Sequence, residues 1–83
     1  MAVTLSPNPT ADLLHLTLRT DRTRALSFEL LDARGTVRQR LPVRTVAAGQ
    51  RTETLDVTDL SPGTYFLRIS DGTAVRSVGF VTR

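Results

Sequence analysis

Apolar residues recur at every second position along most of this chain. Between Asp12 and Thr20, the leucines at 14, 16 and 18 fall on one face of an extended strand, and the opposite face carries mainly polar residues. The stretches 25–31 and 65–70 alternate in the same way, and no window sustains the spacing of an amphipathic helix. Alternation with period two is typical of strands that bury one face of a sheet. The sequence therefore predicts an all-β fold.

Turn signals divide this alternating pattern into six or seven short strands. "DARG" at 32–35 predicts a type I turn in which Gly35 adopts the left-handed conformation. "VAAGQ" at 46–50 predicts a second turn, and Asp71-Gly72 predicts a two-residue type I′ loop. A chain of 83 residues has room for one small domain. We predict a small immunoglobulin-like antiparallel β-sandwich, because two facing sheets are needed to share one core.

The later strands carry less regular signals. The stretch 36–43 is expected to return as a strand with Val37 and Leu41 inward, and Pro42 marks either an edge or a bulge because proline lacks an N–H donor. The last strand is expected from about residue 74 to residue 81. A further strand is expected at 51–57, with Leu55 and Val57 inward.

Composition excludes several classes of function. The chain has no cysteine, which removes disulfides, catalytic thiolates and cysteine-based zinc sites. All eleven basic residues are arginine, the net charge is +3, and the arginines are dispersed among acids. Neither a recognition motif nor an aromatic platform accompanies this charge, so we expect no nucleic-acid partner. No apolar run approaches the length of a membrane span, and we expect no direct membrane insertion.

The residues capable of chemistry do not form a reactive set. His15 is the only histidine, and the alternation places it on the face opposite the leucines at 14, 16 and 18. No G-x-S-x-G motif is present to hold a nucleophile. Asp32 and Asp71 have a simpler role as turn initiators than as calcium ligands. We predict no catalytic residue, no metal site and no cofactor.

Two proline-containing segments stand out from this pattern. Pro7 and Pro9 flank Asn8 and restrict the backbone to extended geometry, which predicts a stiff lead into the first long strand. We expect the segment upstream of Pro7 to be extended and unpaired, because the prolines block strand pairing there. "LSPGTY" at 60–65 resembles the tyrosine corner of fibronectin type III domains, although Tyr65 comes one residue early. Tyr65 should be a core aromatic whose hydroxyl reaches nearby backbone.

The order of several motifs points to one family. "PNP" precedes a leucine-alternating strand, "LDARG" occupies 31–35, "LDVTDLSPGTYFLRI" occupies 55–69, and the chain ends in "RSVGFVTR". From Thr4 to Arg83 the chain resembles the type A C-terminal sorting domain of the type IX (Por) secretion system. The tail of that family usually carries lysine near the position of Gly79, whereas basic charge is present here at Arg76 and Arg83.

The resemblance implies a sorting role rather than an enzyme. Residues 1–83 would form a single C-terminal sorting domain, a fragment of a larger secreted protein. Its partners would be an N-terminal cargo domain, an outer-membrane translocon and a sortase-like surface protease that removes the domain during surface attachment. The cargo would pass through the periplasm and end at the cell surface or outside the cell. Cleavage is expected N-terminal to Pro-Asn-Pro.

Recognition is expected on rigid, exposed features near the two termini and the corner. The candidates are Pro7, Asn8, Pro9, Gly63, Tyr65, Arg76, Phe80, Val81 and Arg83. The final strand is also a plausible docking edge for strand addition. Two other interpretations remain open at this stage. One is an Ig-like or fibronectin-like accessory binding module of a secreted enzyme, and the other is a structural domain that only spaces its neighbour.

Overall fold

Seven strands and no helix make up the computed structural model, which describes residues 1–83. The strands are β1 (Ala2–Ser6), β2 (Leu13–Thr20), β3 (Arg24–Asp32), β4 (Val37–Val46), β5 (Gly49–Asp56), β6 (Gly63–Ser70) and β7 (Val75–Thr82). One antiparallel sheet has the order β1-β2-β5 and the other has the order β4-β3-β6-β7. The predicted small β-sandwich is therefore confirmed.

The alternating leucines form the core between the two sheets. All three inward leucines of β2 are at most 1% exposed, whereas Leu13 on the opposite face is 48% exposed. The core cluster consists of Leu14, Leu16, Leu18, Leu26, Phe28, Leu30, Val46, Val57, Tyr65, Leu67, Ile69 and Phe80. Every strand except β1 and β5 contributes to this cluster, and those two add half-buried residues that pack against it. Leu41 also packs against the core, and Val37 is half-buried.

The structure confirms the predicted β3–β4 turn and the position of Pro42, but not the predicted type of the β6–β7 turn. The β3–β4 turn is as predicted, because Gly35 N–H donates to Asp32 O at 2.9 Å and Gly35 has φ of 84°. Pro42 lies on an edge strand and at a bulge, where residues 42 and 43 stand opposite Ser27 alone. The type I′ prediction for Asp71-Gly72 is wrong, because that turn requires a positive φ at both residues and only Gly72 has one.

The side chain of Asp71 explains the failed turn prediction. Its Oδ1 accepts hydrogen bonds from the backbone N–H of Thr73 at 2.9 Å and of Ala74 at 2.7 Å. The loop consequently spans residues 71–74 and β7 begins at Val75. Aspartate commonly caps its own turn in this way, and the local competition overrides the backbone preference of an Asp-Gly pair.

The segment upstream of Pro7 is the main departure from expectation. It was expected to be unpaired, but Ala2–Ser6 form β1, which pairs with β2 from Ala2 opposite Arg19 to Ser6 opposite His15. Pro7 and Pro9 therefore belong to the loop between two paired strands, and both follow cis peptide bonds. The alternating side chains of Val3 and Leu5 pack against the core, which explains why the segment pairs.

Candidate functional site

Hydrogen bonds join the Pro-Asn-Pro loop to the end of β7. Val81 N–H donates to Asn8 Oδ1 at 3.0 Å, Thr10 N–H donates to Val81 O at 2.8 Å, and Arg83 N–H donates to Thr10 O at 2.9 Å. Thr10 and Thr82 thereby form a short parallel bridge. We call the set of Asn8, Thr10, Val81 and Arg83 the terminal bridge. It holds the last residues of the chain against a loop 73 residues earlier.

Two threonines anchor the terminal bridge in the interior. Thr10 is 1% exposed, and its hydroxyl donates to Leu13 O at 2.6 Å at the start of β2. Thr82 is 3% exposed, and its hydroxyl donates to Ser61 O at 3.0 Å in the β5–β6 connection. Buried hydroxyls are tolerated because each has found a backbone acceptor. The bridge is therefore continuous with the corner that precedes β6.

The corner itself centres on Tyr65. Its hydroxyl donates to Ser61 O at 2.6 Å, as the sequence predicted for a nearby backbone group. The ring of Tyr65 stacks on that of Phe80, with centroids 5.9 Å apart, and the two side chains are 6% and 1% exposed. The Ser61 carbonyl thus accepts from both Tyr65 and Thr82. Two side chains fix this carbonyl, so the corner and the chain terminus are held together.

The structure separates the candidate recognition residues by location. Pro7, Asn8, Pro9, Gly63, Val81 and Arg83 are exposed at one end of the sandwich, which we call the distal end. Tyr65 and Phe80 lie beneath that surface in the core. Arg76 is not brought there, because it pairs with Ile69 near the other end of β7.

The sequence did not predict which residues connect the loop, the corner and the C-terminal residues at the distal end. Thr10, Ser61 and Thr82 join the loop, the corner and the terminus, yet each is an ordinary residue in a chain rich in threonine and serine. Thr82 is marked by one signal: it is a polar residue at the inward phase of β7, two residues after Phe80. Nothing local marks Thr10 or Ser61.

The outer face of the four-stranded sheet carries an apolar patch beside the terminal bridge. The side chains of Phe66 and Val81 are 39% and 40% exposed. Phe66 lies opposite Gly79 in the β6–β7 pair, and a Cβ at residue 79 would lie 3.4 Å from Phe66 Cε1. The ring of Phe66 therefore covers Gly79.

Two groups of ion pairs, around Glu29 and around Arg24, lie away from the terminal bridge. Glu29 accepts from Arg40 at 2.9 Å and from Arg68 at 2.5 Å, and these hydrogen bonds, that of Arg40 above all, lower the pKa of Glu29. Arg24 binds Asp21 at 2.7 Å and Asp71 at 2.6 Å. The hydrogen bonds from Ala74 N–H and Thr73 N–H, with a contribution from Arg24, lower the pKa of Asp71 to about 2.

The only histidine and two clefts lie at the surface of the sandwich. His15 is exposed on β2, with Nδ1 3.2 Å from Thr54 Oγ1. No group of three or more histidine, cysteine or acidic residues is placed to hold a metal ion. Two open clefts of about 450 and 380 Å³ lie along Arg38, one reaching Asp59 and the other reaching Pro62. None of the chain forms a helix that could span a membrane.

Comparison with known families identifies the chain. The family model described as the secretion system C-terminal sorting domain matches residues 4–82, nearly the whole chain. No curated protein matches the chain. The chain belongs to the family of type IX secretion C-terminal sorting domains, as its motifs predicted. This family consists of sorting signals rather than enzymes, and its members mark cargo that is secreted or displayed at the cell surface.

Proposed function

Given this membership, we propose that the domain directs an N-terminal cargo protein through the outer-membrane translocon of the type IX system. The signal is a folded surface rather than a linear tail. The single observation that carries this proposal is the hydrogen bond from Val81 N–H to Asn8 Oδ1 at 3.0 Å. Because that bond and the two beside it fix the last residues, a receptor meets them in one conformation and does not have to order them on binding.

The distal end is the surface that we assign to the translocon. It exposes Pro7, Asn8, Pro9, Gly63, Val81 and Arg83. The apolar side chain of Val81 and the free guanidinium of Arg83 supply contact area and charge, which are the usual means of recognition at a protein interface. Tyr65 and Phe80 support this surface from the core and do not contact the receptor.

The position of the N-terminus supports this assignment. Met1 precedes Ala2, which pairs with Arg19 near the end of β2, whereas Ser6 pairs with His15 close to the distal end. Any chain that precedes Met1 therefore joins the sandwich at the opposite end, which we call the proximal end. The five residues of β1 separate the two ends by about 17 Å. A cargo domain attached there leaves the distal end uncovered.

Removal of the domain is assigned to a sortase-like protease at the cell surface, after the cargo has passed through the periplasm. Proteases bind extended chain that is not already paired, and β1 is paired with β2 along its whole length. We therefore place the cut upstream of β1, still N-terminal to Pro-Asn-Pro. The domain acts in this scheme as a ligand and then a substrate, with no catalytic residue or cofactor of its own.

A secretion reporter tests the proposal. A reporter protein fused ahead of Met1 is expressed in a host that carries the type IX system, and its export is compared between single substitutions. Deleting residues 80–83 is unsuitable, because Phe80 and Thr82 are buried and their loss would unfold the domain. Arg83→Ala removes an exposed distal charge that makes no ion pair, and Arg22→Ala does the same at the proximal end.

We expect Arg83→Ala to reduce export of the folded reporter several-fold and Arg22→Ala to leave it unchanged. Thermal unfolding of both variants should match the parent, since exposed substitutions of this kind change stability by less than about 0.5 kcal/mol. Equal export of all three proteins would remove the distal end from recognition. That result would favour an accessory Ig-like or fibronectin-like module instead.

A further inference from the structure

We propose that the outer edge of β7, from Val75 to Gly79, binds an extended, acid-bearing segment of a partner protein as a fifth strand of its sheet. The partner's identity as a component of the export machinery rests on the function proposed above. The binding site itself rests on the geometry and charge of this edge. The segment would lie in line with residues 8–10, which already occupy the C-terminal part of the same edge.

The backbone groups on this edge are free. β7 pairs with β6 on one side only, with an unbroken register from Gly63 opposite Thr82 to Ser70 opposite Val75. The N–H and C=O of Val81 point away from β6, because both bond to the Pro-Asn-Pro loop. Strand alternation then points the same groups of Val75, Ser77 and Gly79 outward. No backbone hydrogen bond of the chain uses them.

The other three edges carry features that discourage strand addition. β4 has Pro42 and a bulge opposite Ser27. β5 has the inward-phase charge of Glu53, which binds Arg44 at 3.1 Å and Arg51 at 2.9 Å. β1 is short and is followed at once by Pro7 and Pro9. Proline, bulges, short strands and inward charges are the devices by which proteins protect sheet edges.

β7 has only one of these devices along its open stretch, the charge of Arg76, which shares the inward phase of Phe80. Its sequence there is "VRSVG", with the small residues Ser77 and Gly79 facing the outer surface and no proline or acid. Strand addition to such an edge uses main-chain hydrogen bonds for affinity. The terminal bridge closes the edge at Val81, so a partner strand ends there. The binding site therefore extends from Val75 to Gly79, and the terminal bridge limits it at its C-terminal end.

Charge selects the kind of partner. Residues 1–11 and 72–83 contain no acid, and Arg76 and Arg83 make no ion pair. Arg76 lies near the N-terminal end of the open stretch and Arg83 lies beyond its C-terminal end, so acidic residues at both ends of the added segment would find an opposite charge. A second copy of this chain is disfavoured. Antiparallel pairing of two open stretches would bring the two Arg76 side chains within two positions of each other on one face.

A designed peptide probes this edge directly. The probe is an extended nine-residue peptide that alternates valine and threonine between two terminal glutamates, and the control peptide has lysine in place of both glutamates. Each is added to the isotope-labelled 83-residue chain, and amide chemical shifts and hydrogen exchange are followed by NMR. We expect the glutamate peptide to shift and protect the amides of Ser77 and Gly79, and the lysine peptide to bind more weakly.

Variants of the chain separate edge binding from general charge attraction. Arg76→Glu should weaken binding of the glutamate peptide about threefold or more, the range typical of exposed ion pairs. Arg34→Glu makes the same change of charge in the β3–β4 turn, where Arg34 has no ion pair, and should leave binding near the parent value. Ser77→Pro removes an outward N–H without removing a β6 hydrogen bond and should abolish protection at Gly79.

Distinct results would overturn the inference. Shifts confined to β4 or β5, equal binding of the two peptides, or self-association of the chain without peptide would each do so. Export of the reporter carrying Arg83→Ala tests the proposed function separately. If Arg83→Ala reduces export but the β7 edge binds no peptide, the sorting role stands and only this docking site is ruled out.

Discussion

The two ends of this sandwich are held together by different kinds of interaction. At the distal end, Val81 N–H bonds to a neutral amide oxygen of Asn8, and the hydroxyls of Tyr65 and Thr82 donate to one backbone carbonyl. At the proximal end, Arg24 joins the β2–β3 and β6–β7 loops by binding Asp21 at 2.7 Å and Asp71 at 2.6 Å. The contacts of the terminal bridge are therefore neutral, and those of Arg24 at the proximal end are ionic.

The difference teaches how a sorting signal can keep one shape in changing surroundings. Neutral hydrogen bonds between groups that do not titrate are insensitive to pH, and salt screens them little compared with exposed ion pairs. The terminal bridge should therefore persist through compartments of different composition. The ionic proximal end weakens as its carboxylates are protonated. The contacts that fix the last residues of the chain are therefore less sensitive to pH than the contacts of Arg24.

The largest expected effect comes from the ring beneath the distal surface. Phe80→Ala removes a core side chain that is 1% exposed and stacks on Tyr65, which should cost about 3–5 kcal/mol of unfolding free energy. Phe66→Ala removes the same ring from a position 39% exposed on the opposite face of the sheet and should cost much less. Urea unfolding followed by circular dichroism compares them. Similar losses of unfolding free energy in the two variants would contradict our assignment of Phe80 to the supporting core and of Phe66 to the surface.

A smaller effect is expected within the terminal bridge. Asn8→Ala leaves Val81 N–H without its acceptor and should cost about 1 kcal/mol, the usual net value of a hydrogen bond. Asn8→Asp keeps an acceptor oxygen and should retain most of the stability. Amide exchange at Val81 is the local readout. We expect the Val81 amide to exchange faster than in the parent only in the alanine variant. Exchange at the parent rate in both variants would show that Asn8 does not hold the terminus.

The smallest effect concerns acid at the proximal end. The folded state holds the pKa of Asp71 at about 2, below its usual value of 3.8, so the ionised form is favoured by folding. This contribution is complete above the unfolded pKa and is lost as pH falls through the folded one. Stability should therefore decline between pH 3.8 and about 2, and Asp71→Asn should flatten that decline.

Urea unfolding across that acid range measures the slope for the parent and the variant. Asparagine at 71 keeps the oxygen that accepts from Thr73 and Ala74, so the loop should persist. Exchange protection at Val81 should stay constant relative to global stability in both proteins. A steeper acid response at Val81 than at the proximal loop would reverse the proposed contrast between the two ends.

Local patterns predicted most of the sandwich but little of how its termini meet. Alternation located β2, β3 and β6 because burial of one sheet face imposes period two on the sequence. The same rule would have found β1 in Val3 and Leu5, but the two prolines behind them favoured an unpaired lead. The motifs also identified the family, since their order extends over the whole chain.

The features that the sequence did not predict depend on contacts between residues that no local pattern links. The hydrogen bond between Asn8 and Val81 spans 73 residues, and neither residue carries a sign of its partner. Asp71 misled the turn prediction because its side chain competes with the backbone for the same N–H groups. The distance between Arg76 and Arg83 was not foreseen for a related reason, since it depends on the length of β7.

Export of a reporter fused to Asn8→Ala and to Asn8→Asp tests most directly whether the type IX machinery reads a folded distal surface. Both variants keep every residue of the C-terminal tail, and only the aspartate variant keeps the acceptor for Val81 N–H. We expect export to fall further in the alanine variant than in the aspartate variant, which keeps the terminus in place. Parent-level export of both variants would contradict recognition of a surface that depends on the terminal bridge.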